Sequence, residues 1–148
     1  MTLETAMNAL SRALLLALLA APFPLAAEEV GRKVFGDFEV HYNAYPSEIL
    51  APEVASRHGI ARGKDKGIVS IAVVPRGAAA GTTARVEGTV TDLLQRQQVL
   101  AFAEVREGEA VYYLAPFRFD PEDPLTFAIR VTPSGAGETF EFRFRRTF

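Results

Sequence analysis

The chain has 148 residues, no cysteine, no tryptophan, 16 Lys and Arg against 18 Asp and Glu, and a formal net charge of -2. Without cysteine there are no disulfides, thiol nucleophiles, cysteine-ligated zinc or iron–sulfur centres, and no lipidated cysteine of a bacterial lipoprotein. The near-balanced charge supplies no global field for nucleic acid or an anionic membrane, so a nucleic-acid partner is not expected.

Residues Met1 to Ala27 read as a cleavable export signal. Arg12 precedes the apolar run Ala13 to Ala21, Pro22 and Pro24 break that run, and Leu25-Ala26-Ala27 offers a small-residue cleavage site. The run is far shorter than the roughly 20 residues a membrane-spanning helix needs. Stable membrane insertion after cleavage is therefore not expected. Removing the signal takes away Glu4 and Arg12 together, so the net charge stays the same. The remainder, 28–148, has the length of one domain able to bury a core of its own.

Within that domain the apolar pattern has period two, which predicts strands separated by turn-forming clusters. The first predicted strand runs from Val34 to Tyr45, with Phe38, Val40 and Tyr42 on one face and Asp37, Glu39, His41 and Asn43 on the other. Pro52, Gly59 and the basic pair Arg57-His58 then punctuate a short helical insert over 52–58. The insert is expected to carry the chain from one sheet toward the other, with Ile49, Leu50 and Val54 plugging the end of the fold. A second strand covers Ile68 to Val74 and is apolar on both faces except at Ser70, the pattern of a strand covered on both sides or central in its sheet. A third runs from Arg85 to Val90, where Gly88 marks a bulge or a close approach.

Val99 to Arg106 and Ala110 to Phe119 form a hairpin pair around Glu107-Gly108-Glu109. The turn Asp120 to Pro124 leads into a strand with Leu125, Phe127, Ile129 and Val131 on one face. The last strand sets Phe140, Phe142 and Phe144 against Glu141, Arg143 and Arg145. Seven strands at this spacing predict an all-β fold, a seven-stranded antiparallel immunoglobulin-like β-sandwich with one short helical insert between the first two strands. The final Phe148 after alternating phenylalanines also resembles the end of an outer-membrane barrel. An odd strand count, Arg146 in the apolar register and the helical insert argue for the sandwich.

Chemistry is sparse. Ser47, Ser56, Ser70 and Ser134 are the serines of the mature chain, and none lies in a Gly-x-Ser-x-Gly elbow. His41 and His58 are the only histidines, with no H-E-x-x-H spacing. The row Asp37, Glu39, His41 and Asn43 is the best metal candidate, yet successive members stand about 6.5 to 7 Å apart along a strand and read as a solvated face. Arg57, His58, Arg62, Lys64 and Lys66 form a basic loop that reads as a solvated connection. Tyr112 and Tyr113 must point to opposite faces, one into the core and one to the surface, where a neighbouring Tyr42 or Tyr45 would make a recognition patch.

The run Phe35-Gly36-Asp37-Phe38-Glu39-Val40-His41-Tyr42-Asn43-Ala44 is followed by Leu50-x-Pro52-Glu53-Val54-Ala55 and Gly59-Ile60-x-Arg62. With Gly67 and Arg106-Glu107-Gly108-x-Ala110-x-Tyr112-Tyr113, it resembles a family of exported proteobacterial proteins, domain of unknown function 4426. Gly63 departs from that pattern, where serine is expected. The resemblance spans nearly the whole mature chain and implies a periplasmic protein of Gram-negative bacteria, with no activity to carry over. It draws His41, Tyr42, Asn43, Arg62, Tyr112 and Tyr113 into one candidate binding group. The expectation is a non-catalytic periplasmic module without cofactor or metal, binding a protein partner or envelope component. The alternative is a small-ligand or metal-binding protein using the same groups.

Overall fold

The computed structural model describes residues 31–148. The export signal expected over 1–27 lies outside the described residues. In chain order the strands are β1 (Gly31–Phe35), β2 (Phe38–Pro46), β3 (Lys66–Pro75), β4 (Ala84–Thr91), β5 (Gln97–Leu100), β6 (Ala103–Glu107), β7 (Ala110–Arg118), β8 (Leu125–Pro133) and β9 (Phe140–Arg146). A 3₁₀ turn (Ser47–Ile49) and one α-helix, α1 (Pro52–Arg57), separate β2 from β3. All pairings are antiparallel, in a five-stranded sheet of order β1-β2-β3-β7-β6 and a four-stranded sheet of order β5-β4-β8-β9.

The fold is all-β as expected, but nine strands replace the seven predicted. Val34 to Tyr45 is a hairpin rather than one strand: Phe35 pairs with Phe38 across Gly36-Asp37, and Gly36 turns the chain at φ 54. A two-residue turn of this kind is too short to interrupt an apolar pattern visibly. Val99 to Arg106 is likewise two strands in different sheets. β5 ends at Leu100, buried in the core, and β6 begins at Ala103 in the other sheet. Phe102 packs against the core while the chain crosses between layers, so no polar residue marks the crossing.

The core lies between the two sheets. From the four-stranded sheet Leu125, Phe127, Ile129 and Val131 are almost fully buried, and Phe142 joins them from β9. They face Val40, Val69, Ile71, Val73, Ala115 and Phe117 of the five-stranded sheet. Gly88 keeps its pairing with both neighbours and makes a close approach without a bulge: a Cβ there would stand 2.8 Å from the Ala128 carbonyl. Phe148, the residue behind the barrel alternative, packs its ring 4.9 Å from Phe119 and 5.9 Å from Phe117. Among the described residues the sheets end at β1, β6, β5 and β9, edges that a closed barrel does not possess.

The insert does not carry the chain between sheets, because β2 and β3 are neighbours in the same sheet. Pro52 opens α1 at the start of its first turn, where a missing N–H costs nothing. The helix ends in a Schellman motif. Gly59 takes φ 65, its N–H donates to the Ser56 carbonyl at 3.2 Å, and the Ile60 N–H donates to the Ala55 carbonyl at 2.8 Å. Nor do Ile49, Leu50 and Val54 plug the end of the sandwich. Ile49 is exposed, while Leu50 and Val54 face the outer side of the five-stranded sheet. That outer side presents Tyr45, the fully buried Ile68 and Leu114, an apolar strip that a helix can cover.

Candidate functional site

The register assigns a face to five of the six expected site residues, all but Arg62. On β2 the outer side carries Glu39, His41, Asn43 and Tyr45; the inner side carries Val40, Tyr42 and Ala44. Tyr42 therefore leans inward, its ring 5.0 Å from Phe142 and 4.6 Å from Phe144, and its pairing with Gly31 leaves no room for a Cβ there. Tyr113 is buried and also inward-facing. Its hydroxyl donates to Glu104 Oε2 at 2.9 Å and accepts from the Ala84 N–H at 2.8 Å, which ties β7 and β6 to β4 in the other sheet. Burial pushes the Tyr113 hydroxyl pKa up. Both residues hold the sandwich together and neither reaches a surface patch.

His41 and Asn43 stay on the outer face. His41 Nε2 lies 3.5 Å from Glu39 Oε2, which Arg32 also approaches at 3.6 Å, while Asn43 accepts from the Ala44 N–H at 2.9 Å. Among the described residues no three of His, Cys, Asp and Glu gather within metal-binding range. Arg62 is elsewhere: its guanidinium donates to the Glu48 carbonyl at 3.0 Å. Beside it the fully buried Ser47 hydroxyl accepts from the Gly63 N–H at 3.0 Å and donates to the Gly63 carbonyl at 3.3 Å. These bonds tie the neck of the insert, next to Pro46 and about 17 Å along β2 from His41 at the usual rise per residue. Arg62 and His41 do not converge. The basic loop is divided too, with Asp65 facing Arg118 at 3.5 Å and His58 facing Glu107 at 3.9 Å.

What the insert does create is a cleft between α1 and the outer face of the sheet. Its volume is about 180 Å³. Leu50, Val54, His58 and Ile60 wall it from the insert; Tyr45, Ser70, Leu114, Tyr112, Val105 and Glu107 floor it from β2, β3, β7 and β6. Tyr112 is the exposed member of the tyrosine tandem and shares this cleft with Tyr45, whose hydroxyl pKa is raised by burial. His58 and Glu107 add two polar groups, which face each other across it at 3.9 Å. Of the six residues expected to form a site, only Tyr112 lines it. Ser70 had a signal in the sequence, as the one polar residue in an apolar strand. His58 stood in the basic loop and Glu107 in the family motif, but nothing in the sequence joined them, because their meeting depends on where the insert folds back.

Larger depressions of about 680 and 530 Å³ lie on the outer face of the four-stranded sheet. Thr89, Ala128 and Arg143 line both. Arg130 at the end of the larger one pairs with Glu141 at 2.9 Å. None of the segments that carry the family resemblance reaches them. Five residues of those segments, Leu50, Val54, Ile60, Glu107 and Tyr112, line the smaller cleft.

The fold and the cleft define a class: a two-sheet β-sandwich with a short helix capping one outer face. The family model for a domain of unknown function (DUF4426) matches residues 32–148, and the chain belongs to that family. It is similar to a crystal structure of a DUF4426 family protein from Pseudomonas aeruginosa PAO1, with 33% identity, 82% of this chain and 97% of that one covered, and a TM-score of 0.70. It is also similar to FetP of uropathogenic E. coli strain F11. The "as isolated" protein is 9% identical, with 80% and 92% of the two chains covered and a TM-score of 0.57. A copper-bound FetP variant is 8% identical, with 80% and 93% covered and a TM-score of 0.58. At that identity the likeness to FetP is one of fold. No curated protein matches the chain.

Proposed function

We propose that the chain is an exported, non-catalytic periplasmic binding module that engages a protein partner or envelope component through the cleft beneath α1. The carrying observation is convergence: residues of three separate segments that bear the family resemblance line one small cleft, and Tyr112 and Val54 at that cleft are partly exposed. A concave apolar site rimmed by a few polar groups is the form a side-chain or ligand anchor takes. The strand order β2-β3-β7-β6 against β5-β4-β8-β9 supports an immunoglobulin-like reading of the sandwich, with β1 as an added hairpin strand. Copper belongs to the description of the FetP variant and does not transfer. In this chain His41 faces Glu39 while His58 faces Glu107, cysteine is lacking, and both methionines precede the described residues.

The test is site-specific photo-crosslinking in the periplasm of intact cells. A benzophenone amino acid at Tyr112 is expected to trap a defined partner that the same group at Val99, exposed on the other sheet, does not. The adduct should disappear when Ser70→Leu fills the cleft. Equal capture from both positions, or an adduct indifferent to the filled cleft, refutes the reading. Export is checked on the same preparation: the periplasmic protein should begin at Glu28.

A further inference from the structure

Resting on the binding role just proposed for this cleft, we infer that it accepts a single aromatic ring bearing one polar group, of the phenol or indole class. Size comes first. A cavity of about 150 Å³ lined by aliphatic and aromatic groups holds one benzene molecule. A cleft of about 180 Å³ has room for such a ring and an added substituent. The walls suit a ring, since Leu50, Val54, Ile60, Val105 and Leu114 are aliphatic and Tyr45 and Tyr112 offer faces for stacking.

Polarity sets the second requirement. The hydroxyls of Ser70 and Tyr45 line the cleft, and neither makes a hydrogen bond to any described residue. Neither is sealed from solvent, because no buried side-chain N or O atom lacks a partner. These two hydroxyls, with His58 and Glu107 at the same cleft, can serve as donor or acceptor for one polar group on a ring. Ser70 is half-buried on β3, the one polar residue in the aliphatic stretch from Ile68 to Val74. Its hydroxyl is open to solvent beside the apolar wall of the cleft. A bound phenol or indole would satisfy it.

Titration of the mature chain with p-cresol and with toluene, followed by amide chemical shifts, tests the inference. The expected result is saturable shifts confined to α1, Ser70 and Tyr112, with p-cresol binding roughly three- to tenfold tighter than toluene, the worth of one net hydrogen bond. Ser70→Ala keeps the shape of the cleft and should bring the two affinities together. Ser70→Leu should abolish binding while leaving the thermal midpoint at or above that of wild type. Equal binding of toluene and p-cresol by wild type, unchanged p-cresol binding by Ser70→Leu, or shifts away from the cleft each overturn the inference. N-acetyltyrosinamide and an extended tyrosine-containing peptide form a further arm. A tighter peptide identifies the ring as a partner's side chain, and a tighter free phenol identifies a small molecule. If p-cresol binds yet leaves the Tyr112 crosslinks intact, the ring site stands and the partner reading fails.

Discussion

Replacing Phe127 with alanine is the sharpest test of how the two sheets are held together. The side chain is fully buried, its ring stacked 4.7 Å from Phe144 at an interplanar angle of 6° and edge-on to Phe117 at 5.1 Å and 78°. Phe144 lies directly opposite it on β9, while Phe117 belongs to the facing sheet. Truncation therefore opens a void that touches both layers, and the surrounding strands cannot collapse into it without losing their ladders. Loss of a buried aromatic costs about 3 to 5 kcal/mol, against a total of roughly 5 to 15 kcal/mol for a domain. Urea unfolding followed by far-ultraviolet circular dichroism and tyrosine fluorescence reads the change. At a slope of about 1 to 3 kcal/mol per molar urea, the midpoint should fall by one or more molar with the slope unchanged. A double-mutant cycle with Phe144→Ala should return a coupling of about 0.5 to 1.5 kcal/mol for the stacked pair. A loss below about 1 kcal/mol, or no coupling, refutes the packing described here.

Gly67→Ala should destabilise the chain by about 1 to 3 kcal/mol through overpacking, because a Cβ at that position would meet the Phe117 ring at 2.3 Å among Phe119, Phe127 and Phe148; a thermal midpoint equal to that of wild type would contradict it. Tyr113→Phe removes the acceptor of the Ala84 N–H and should cost about 1 to 3 kcal/mol, with the largest rise in amide exchange at Ala84 if the inter-sheet tie is as described. In the same network the Arg106 guanidinium, and after it the Tyr113 hydroxyl, hold the Glu104 carboxyl below the usual glutamate range. A depressed folded pKa stabilises above the unfolded value near 4.3 and is lost as pH falls through the folded value. Between wild type and Glu104→Gln, the gap in thermal midpoint should therefore be present at neutral pH and close in acid; a gap constant with pH would show that the charge has no part in it. Ser47→Ala leaves the Gly63 N–H at the neck of the insert without its acceptor, and should raise protease sensitivity within 48–62 before the sandwich itself unfolds.

Period-two alternation was enough to divide β2, β7, β8 and β9 into faces. Phe127 and its neighbours on β8 pointed inward, Tyr112 and Tyr113 parted, and the three phenylalanines of β9 faced the core as their spacing requires. Helix punctuation was equally legible, since Pro52 and Gly59 act through their own backbone geometry and need no distant partner. The family motifs were legible as well, although not the place where they meet. Alternation says which side of a strand a residue occupies. It carries no information about which strand lies beside it, or what covers the far side. The chain's crossing between sheets at Ala101-Phe102 was invisible for that reason, and so was the return of the insert onto the sheet it had left. His41 and Arg62 seemed joinable because sequence motifs have no distances; His41 stands mid-strand on β2, while Arg62 is held at Glu48, beyond the Pro46 end of that strand. By itself the sequence determined an all-β chain, with one strand apolar on both faces, and a short capped helix. Only the tertiary structure decided that this helix lies over Ser70, Tyr45 and Tyr112, because long-range strand pairing sets which surfaces meet and local pattern does not.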